Sequence, residues 1–118
     1  MIAAGVRIFM CTEAVDMRWG FDRLAATAKT RVGEDPQSGQ IVVAFANRSA
    51  TRLKLLWFDR NGYCLLYKRL HRAVVEVPLA RDGTTVLRID GHALARLMRG
   101  IDRSDRDRPE RARDRLSR

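Results

Sequence analysis

Apolar positions along this chain repeat with two periods, and the change between them marks its elements. Phe21, Leu24, Ala25, Ala28 and Val32 fall on one stripe of an amphipathic helix. Asp16 stands ahead of it as an N-cap candidate. Gly20 weakens a first turn there, which moves the start a few residues on. Arg18, Arg23, Lys29 and Arg31 lie off the stripe and face water or a partner. Leu94, Leu97 and Met98 form a second stripe behind Asp90, another N-cap candidate. Gly100 reads as its left-handed end, with Ile101 folded back onto the last turn. Between the stripes the pattern is that of strands. Val6 to Cys11 is short and β-branched, and Ile41 to Phe45 is apolar throughout, as a buried strand is. Val74, Val75 and Val77 suggest a strand stopped by Pro78, and Thr85 to Ile89 alternates. Turn residues crowd Gly33 to Gln40, Asn47 to Thr51 and Arg81 to Thr84.

The densest signal is Leu53 to Leu70, where two apolar, aromatic-rich runs flank Asp59-Arg60-Asn61-Gly62. Asn and Gly tolerate positive φ, so this is a β-hairpin. Two registers remain open. A two-residue Asn61-Gly62 turn sets Arg60 opposite Tyr63. Arg52, Lys54, Leu56 and Phe58 then share a basic, aromatic face with Tyr63, Leu65, Tyr67 and Arg69. Leu53, Leu55, Trp57, Leu66 and Leu70 line the other, mostly apolar face. A type I turn with a Gly62 bulge sets Asp59 opposite Tyr63 and moves Lys54 beside Lys68, since a one-residue slip exchanges the faces.

Strand, helix, several strands and helix in that order predict an α+β fold. Its parts are a small, mostly antiparallel sheet with a central β-hairpin, two helices and a disordered basic C-terminal tail. A chain of 118 residues is one domain's worth, placed at 1–102. Residues 103–118 read as a flexible Arg-rich tail, because Ala112 and Leu116 are the only apolar residues among seven Arg and four acids.

Charge narrows the partners. The net charge is +9, which favours a polyanion and above all nucleic acid. Between Asn47 and Arg72 there are seven cations and one anion, Asp59. Arg48, Arg52, Lys54, Arg60, Lys68, Arg69 and Arg72 are therefore the candidate nucleic-acid-binding residues, clustered toward the open end of the hairpin. Aromatics beside cations stack on unpaired bases while the cations hold phosphates. For Trp57 and Phe58 plain strand packing is the simpler reading, whereas Tyr63 and Tyr67 suit either role.

Catalysis finds little support. Asp16, Asp59 and Asp102 could gather around a metal, but each has a simpler place at a cap, a turn or a helix end. His71 and His92 are the only histidines, no serine sits in a nucleophile elbow, and no Gly-rich phosphate loop exists. Cys11 and Cys64 form neither a zinc motif nor a disulfide framework. No cofactor is expected. No apolar run is long enough to span a bilayer, and Met1 to Arg7 lacks the features of a signal peptide, so the expected location is cytoplasmic.

Several short motifs recur in one family. Val15-Asp16-Met17-Arg18-Trp19-Gly20-Phe21-Asp22 resembles "TDMRxGFD", and Asp35-Pro36-Gln37-Ser38-Gly39 resembles "DPxSG". Lys54 to Tyr63 with Lys68-Arg69-Leu70 resembles "KLLYWDxNGF…KRL", and Gly100-Ile101-Asp102 resembles a closing "GID". Together, in order and over about Ala4 to Asp102, they resemble the TnpB accessory family, the second-frame products of insertion-sequence-66 bacterial transposons. These are distinct from the RNA-guided nucleases of the same name. The resemblance implies a non-enzymatic accessory role in DNA transposition, beside a larger transposase that does the cutting and joining. Taken with the basic cluster, that role points to element DNA as one partner and the transposase or another transposon-encoded protein as the other. A protein-interaction module that docks the transposase or another accessory subunit is the alternative, through the apolar hairpin face or the surface of the 17–32 helix. Two residues depart from the family pattern. His71 replaces the Glu usual after "KRL", which removes an anion from the basic cluster, and Phe58 stands where Trp is common.

Overall fold

In a computed structural model, residues 5–79 and 83–106 are described. A five-stranded sheet carries one helix on each face. The elements are β1 (Arg7–Cys11), α1 (Phe21–Val32), a 3-10 turn (Pro36–Ser38), β2 (Ile41–Ala46), β3 (Arg52–Asp59), β4 (Gly62–Arg69), β5 (Ala73–Val74), β6 (Val86–Ile89), α2 (Gly91–Arg99), β7 (Ile101–Asp102) and a single helical turn, α3 (Arg103–Arg106). The strand order is β4-β3-β2-β1-β6, with β1 and β2 parallel and the other pairs antiparallel. The hairpin β3–β4, central in the chain, forms one edge of this sheet. β5 and β7 pair separately. Among the described residues no helix is long and apolar enough to cross a membrane.

The central strand explains its own sequence. All six residues of β2 are buried. Ile41, Val43 and Phe45 face α1 with Leu24, Ala25, Ala28 and Leu56, while Val42, Ala44 and Ala46 face α2 with Met10, Leu53, Leu55 and Leu97. A strand covered on both faces has no polar side to show, hence the unbroken apolar run. The β1–α1–β2 crossover supplies the helix that closes one face, as a parallel pair requires.

Local chemistry sets the element ends. α1 begins at Phe21 behind Gly20, which offers no side-chain cap. Asp16 does not cap it, contrary to the expectation from sequence. Its carboxylate accepts from the Arg18 backbone N–H at 2.8 Å and from the Arg18 guanidinium at 2.7 Å, so a tight turn consumes it before the helix starts. Asp90 does cap α2, accepting from the Ala93 N–H at 2.8 Å. Asp35 caps the 3-10 turn through the Gln37 N–H.

Gly100 ends α2, but not in the left-handed conformation. Its φ of 71° and ψ of 177° send the chain out extended into β7, which pairs with β5. That region is nearly exclusive to glycine. A Cβ on Gly100 would lie 2.9 Å from the Val74 carbonyl oxygen. Of the strand expected over 74–77, only Val74 joins a ladder. The turn expected at Arg81-Asp82 lies outside the described residues, as does the Arg-rich tail beyond Arg106.

The hairpin adopts neither anticipated register. Asp59 pairs with Gly62 and Phe58 with Tyr63, so the two-residue turn is Arg60-Asn61. Arg60 takes a φ of 58°. The primed turns that fit the twist of a hairpin require positive φ at their first central position. Because the shift from the Asn61-Gly62 register is two residues, side-chain parity is preserved. Arg52, Lys54, Leu56 and Phe58 do share a face with Tyr63, Leu65, Tyr67 and Arg69. Both faces are nevertheless largely enclosed, one under α1 and one under α2.

Candidate nucleic-acid interface

The seven cations singled out from sequence divide into those the fold uses and those it exposes. Lys54 is the clearest correction. It is 5% exposed, and its ammonium donates to the Met17 carbonyl at 2.6 Å and the Trp19 carbonyl at 2.9 Å. The same nitrogen lies 4.6 Å from the centre of the Tyr67 ring. A buried ammonium must have partners. Here they are the carbonyls of the loop entering α1, which leaves Lys54 no reach toward a surface ligand.

Lys68 projects to the opposite face of the hairpin and donates to the Met98 carbonyl at 2.6 Å. It thereby satisfies a carbonyl left open in the last turn of α2, where a cation also complements the helix dipole. Arg60 sits in the turn, about 25 Å along the strands from Arg52, and so does not belong to the open-end cluster. Arg48 lies at the open end but on the wall of a groove between α2 and the segment 75–79.

Arg52, Arg69 and Arg72 remain. Arg52 and Arg69 are directly opposed on adjacent strands, and like charges so placed are destabilising. Arg52 donates to the Tyr67 hydroxyl at 2.8 Å. Arg69 and Arg72 are exposed. Two backbone bonds stitch the loops at this end: the Leu70 N–H donates to the Thr51 carbonyl at 2.8 Å, and the Val75 N–H to the Ala50 carbonyl at 2.6 Å. The Asn47 side chain, accepting from the Thr51 and Arg52 N–H groups, fixes the turn that leads into β3. The arginines are thus carried on a braced end of the molecule.

The fold adds residues that sequence reasoning did not place here. Lys54 ties the loop 16–20, through the Met17 and Trp19 carbonyls, to the hairpin face that carries Tyr67, and Arg18 and Arg23 belong to that loop and the helix it enters. Arg18 is 91% exposed although paired with Asp16. The Arg23 guanidinium lies over the Trp19 ring, 4.1 Å from its centre. The motif Asp16 to Asp22 was visible in the sequence, but its closeness to the hairpin depends on Lys54, a contact between residues 35 and 37 positions apart. The ion pairs Arg7–Glu34, Lys29–Asp35 and Arg31–Glu13 engage other cations elsewhere on the molecule.

Asp16, Asp59 and Asp102 do not converge. The first is held by Arg18, the second closes the hairpin, and the third accepts from the Ser104 N–H. Among the described residues no group of three or more His, Cys, Asp and Glu is arranged to hold a metal ion. The Arg18 guanidinium and backbone N–H hold the Asp16 carboxyl down at about 2, well below its ordinary value.

The groove is the second feature of note. It has a volume of about 930 Å³ and is lined largely by apolar groups, among them Ala46, Val75, Val77 and Leu97, with Glu13, Arg48 and Arg96 also on its walls. Leu79 at its margin is 75% exposed.

Comparison with known proteins gives a family. The model for the family described as IS66 Orf2 like protein matches residues 6–108. The chain is similar to the uncharacterized protein y4hO of Sinorhizobium fredii (strain NBRC 101917 / NGR234), 37% identical over 97 residues and covering 82% of each chain. It is also similar to the uncharacterized protein y4jC of the same organism, 32% identical over 98 residues, covering 83% of this chain and 81% of the relative. No solved structure matches it.

Proposed function

The chain belongs to the IS66 Orf2-like family, a group of transposition-associated accessory proteins, and on that premise we propose that it binds element DNA without cutting it. The observation that carries this reading is the cross-strand pair Arg52–Arg69. Two arginines directly opposed on an edge hairpin cost the fold stability, and a phosphate bound between them removes that cost. Arg72 and the neighbouring Arg18 and Arg23 extend the positive surface. No step of chemistry is assigned to the chain, whose task is to hold nucleic acid for a separate transposase in the cytoplasm.

Titrating transposon-end DNA against the full chain at several salt concentrations tests the proposal. The logarithm of affinity should fall with the logarithm of salt, with a slope of about one per phosphate neutralised. Arg52→Ala and Arg69→Ala should each lower that slope by about one. An affinity that ignores salt rules the proposal out.

The groove favours a second reading, the docking of a transposon-encoded protein. The hairpin's apolar face cannot serve, because α2 covers it. Complex formation with purified transposase that survives nuclease and high salt, and is lost in Leu79→Asp, supports docking at the groove.

A further inference from the structure

Tyr67 differs from every other aromatic residue of the hairpin. Phe58 and Tyr63 pack edge to face at 5.1 Å, and Trp57 packs into the α2-side core. Tyr67 is 48% exposed in the middle of the basic face. Its position is nonetheless fixed. The hydroxyl accepts from the Arg52 guanidinium at 2.8 Å, and the Lys54 ammonium lies 4.6 Å from the ring centre. Lys54 is itself anchored to two carbonyls. An exposed ring that is held from its hydroxyl and from one face is pre-organised, so little rotamer freedom is lost when something stacks on it.

We propose that Tyr67 is a stacking platform for an unpaired nucleobase, and that the polyanion recognised at this face is single-stranded nucleic acid. The inference rests on the DNA-binding reading above and deepens it. Bases inside a duplex have their faces covered by neighbours, so an open ring between cations gains nothing from paired DNA beyond what the cations supply. A single strand brings both groups the site is built for: a base face for Tyr67, and flanking phosphates for Arg52 and Arg69 on the same face of the hairpin. Trp19 is not a second platform, since it is half-buried against the α1-side core. The guanidinium plane of Arg23 extends the surface beside it and accepts stacking as well as charge.

The experiment compares three ligands of equal length, roughly a dozen nucleotides, which one small module spans. These are a labelled oligo-dT strand, an abasic strand with the same phosphates, and a duplex. Fluorescence anisotropy with the full chain is run at several salt concentrations. The dT strand should bind about ten-fold more tightly than the abasic strand. Tyr67→Leu, which keeps an apolar cover over Lys54, should erase that preference without changing the salt slope, and Tyr67→Phe should keep it. Melting curves check that both variants fold. Equal binding of dT and abasic strands by the unaltered protein overturns the inference while leaving the phosphate reading intact. A preference that persists in Tyr67→Leu overturns it too. Failure of all three ligands to bind overturns both readings.

Discussion

Replacing Lys54 with methionine separates the structural cation from the exposed ones. Lys54→Met keeps the length and most of the volume of the side chain but removes the donors to Met17 and Trp19. A hydrogen bond from a charged group contributes about 1.5–3 kcal/mol, and two are lost. Against this stands the relief of burying an ammonium that is only 5% exposed, which costs several kcal/mol when its partners are neutral. The loop carbonyls regain part of their hydration, because this region is only partly enclosed. The net destabilisation should be about 2 kcal/mol, or a fall in Tm of about 8 °C for a domain of this size. Urea and thermal unfolding read the loss. The salt slope of nucleic-acid binding, measured below the new Tm, should stay within error of the unaltered protein. Unchanged stability together with a slope reduced by about one would show that Lys54 binds phosphate and that its buried position is not the one that matters.

Three further outcomes follow from particular residues. Gly100→Ala should cost about 3 kcal/mol, from a backbone region alanine does not tolerate and a 2.9 Å clash with the Val74 carbonyl oxygen, whereas Gly91→Ala, with nothing within 4 Å, should not destabilise; equal Tm values for the two variants would refute this. Arg60→Gly should stabilise by about 0.5–1 kcal/mol by relieving a φ of 58° in the hairpin turn, as chemical denaturation would show. As pH falls, the unfolded chain protonates Asp16 near its ordinary value of 3.8, the folded chain only near 2. The unfolded state therefore binds more protons across that window, so the contribution of Asp16 to stability is present above about pH 4 and is lost toward pH 2. Asp16→Asn should flatten the stability profile there, and a profile identical to that of the unaltered protein would refute the assignment.

Much of the fold was legible because periodicity and capping act locally. The unbroken Ile41–Ala46 run, the Leu24–Ala25–Ala28 stripe and Asp90 at the start of α2 all say what they become. The hairpin register was not legible, because Asn61-Gly62 is the stronger turn dipeptide and the chain instead turns at Arg60-Asn61. The cross-strand pairs Leu56–Leu65 and Leu55–Leu66, each packed into one of the two cores, outweigh the preference of the turn. Asp16 looked like a cap because sequence does not show that Arg18, two residues on, takes its carboxylate. The basic cluster was half legible: Arg52, Arg69 and Arg72 do gather at one end. Lys54 and Lys68 were indistinguishable from them in sequence, since a lysine that satisfies a distant carbonyl is written like one that faces water. Arg18 and Arg23 were missed for the complementary reason, because only a tertiary contact brings them to the hairpin.

The sheet order has a consequence for how the chain assembles as it is made. β2, β3 and β4 are neighbours in both sequence and space, so this meander can zip up once residue 69 has emerged from the ribosome. β1 is translated first, yet one of its two partners, β6, arrives only with residues 86–89. For that interval one edge of β1 stays open while the arginine-bearing end of the hairpin is already formed. The nascent protein thus acquires its charged surface before it closes its sheet, and a chain cut short before residue 86 would keep the charge and lack the strand that seals it.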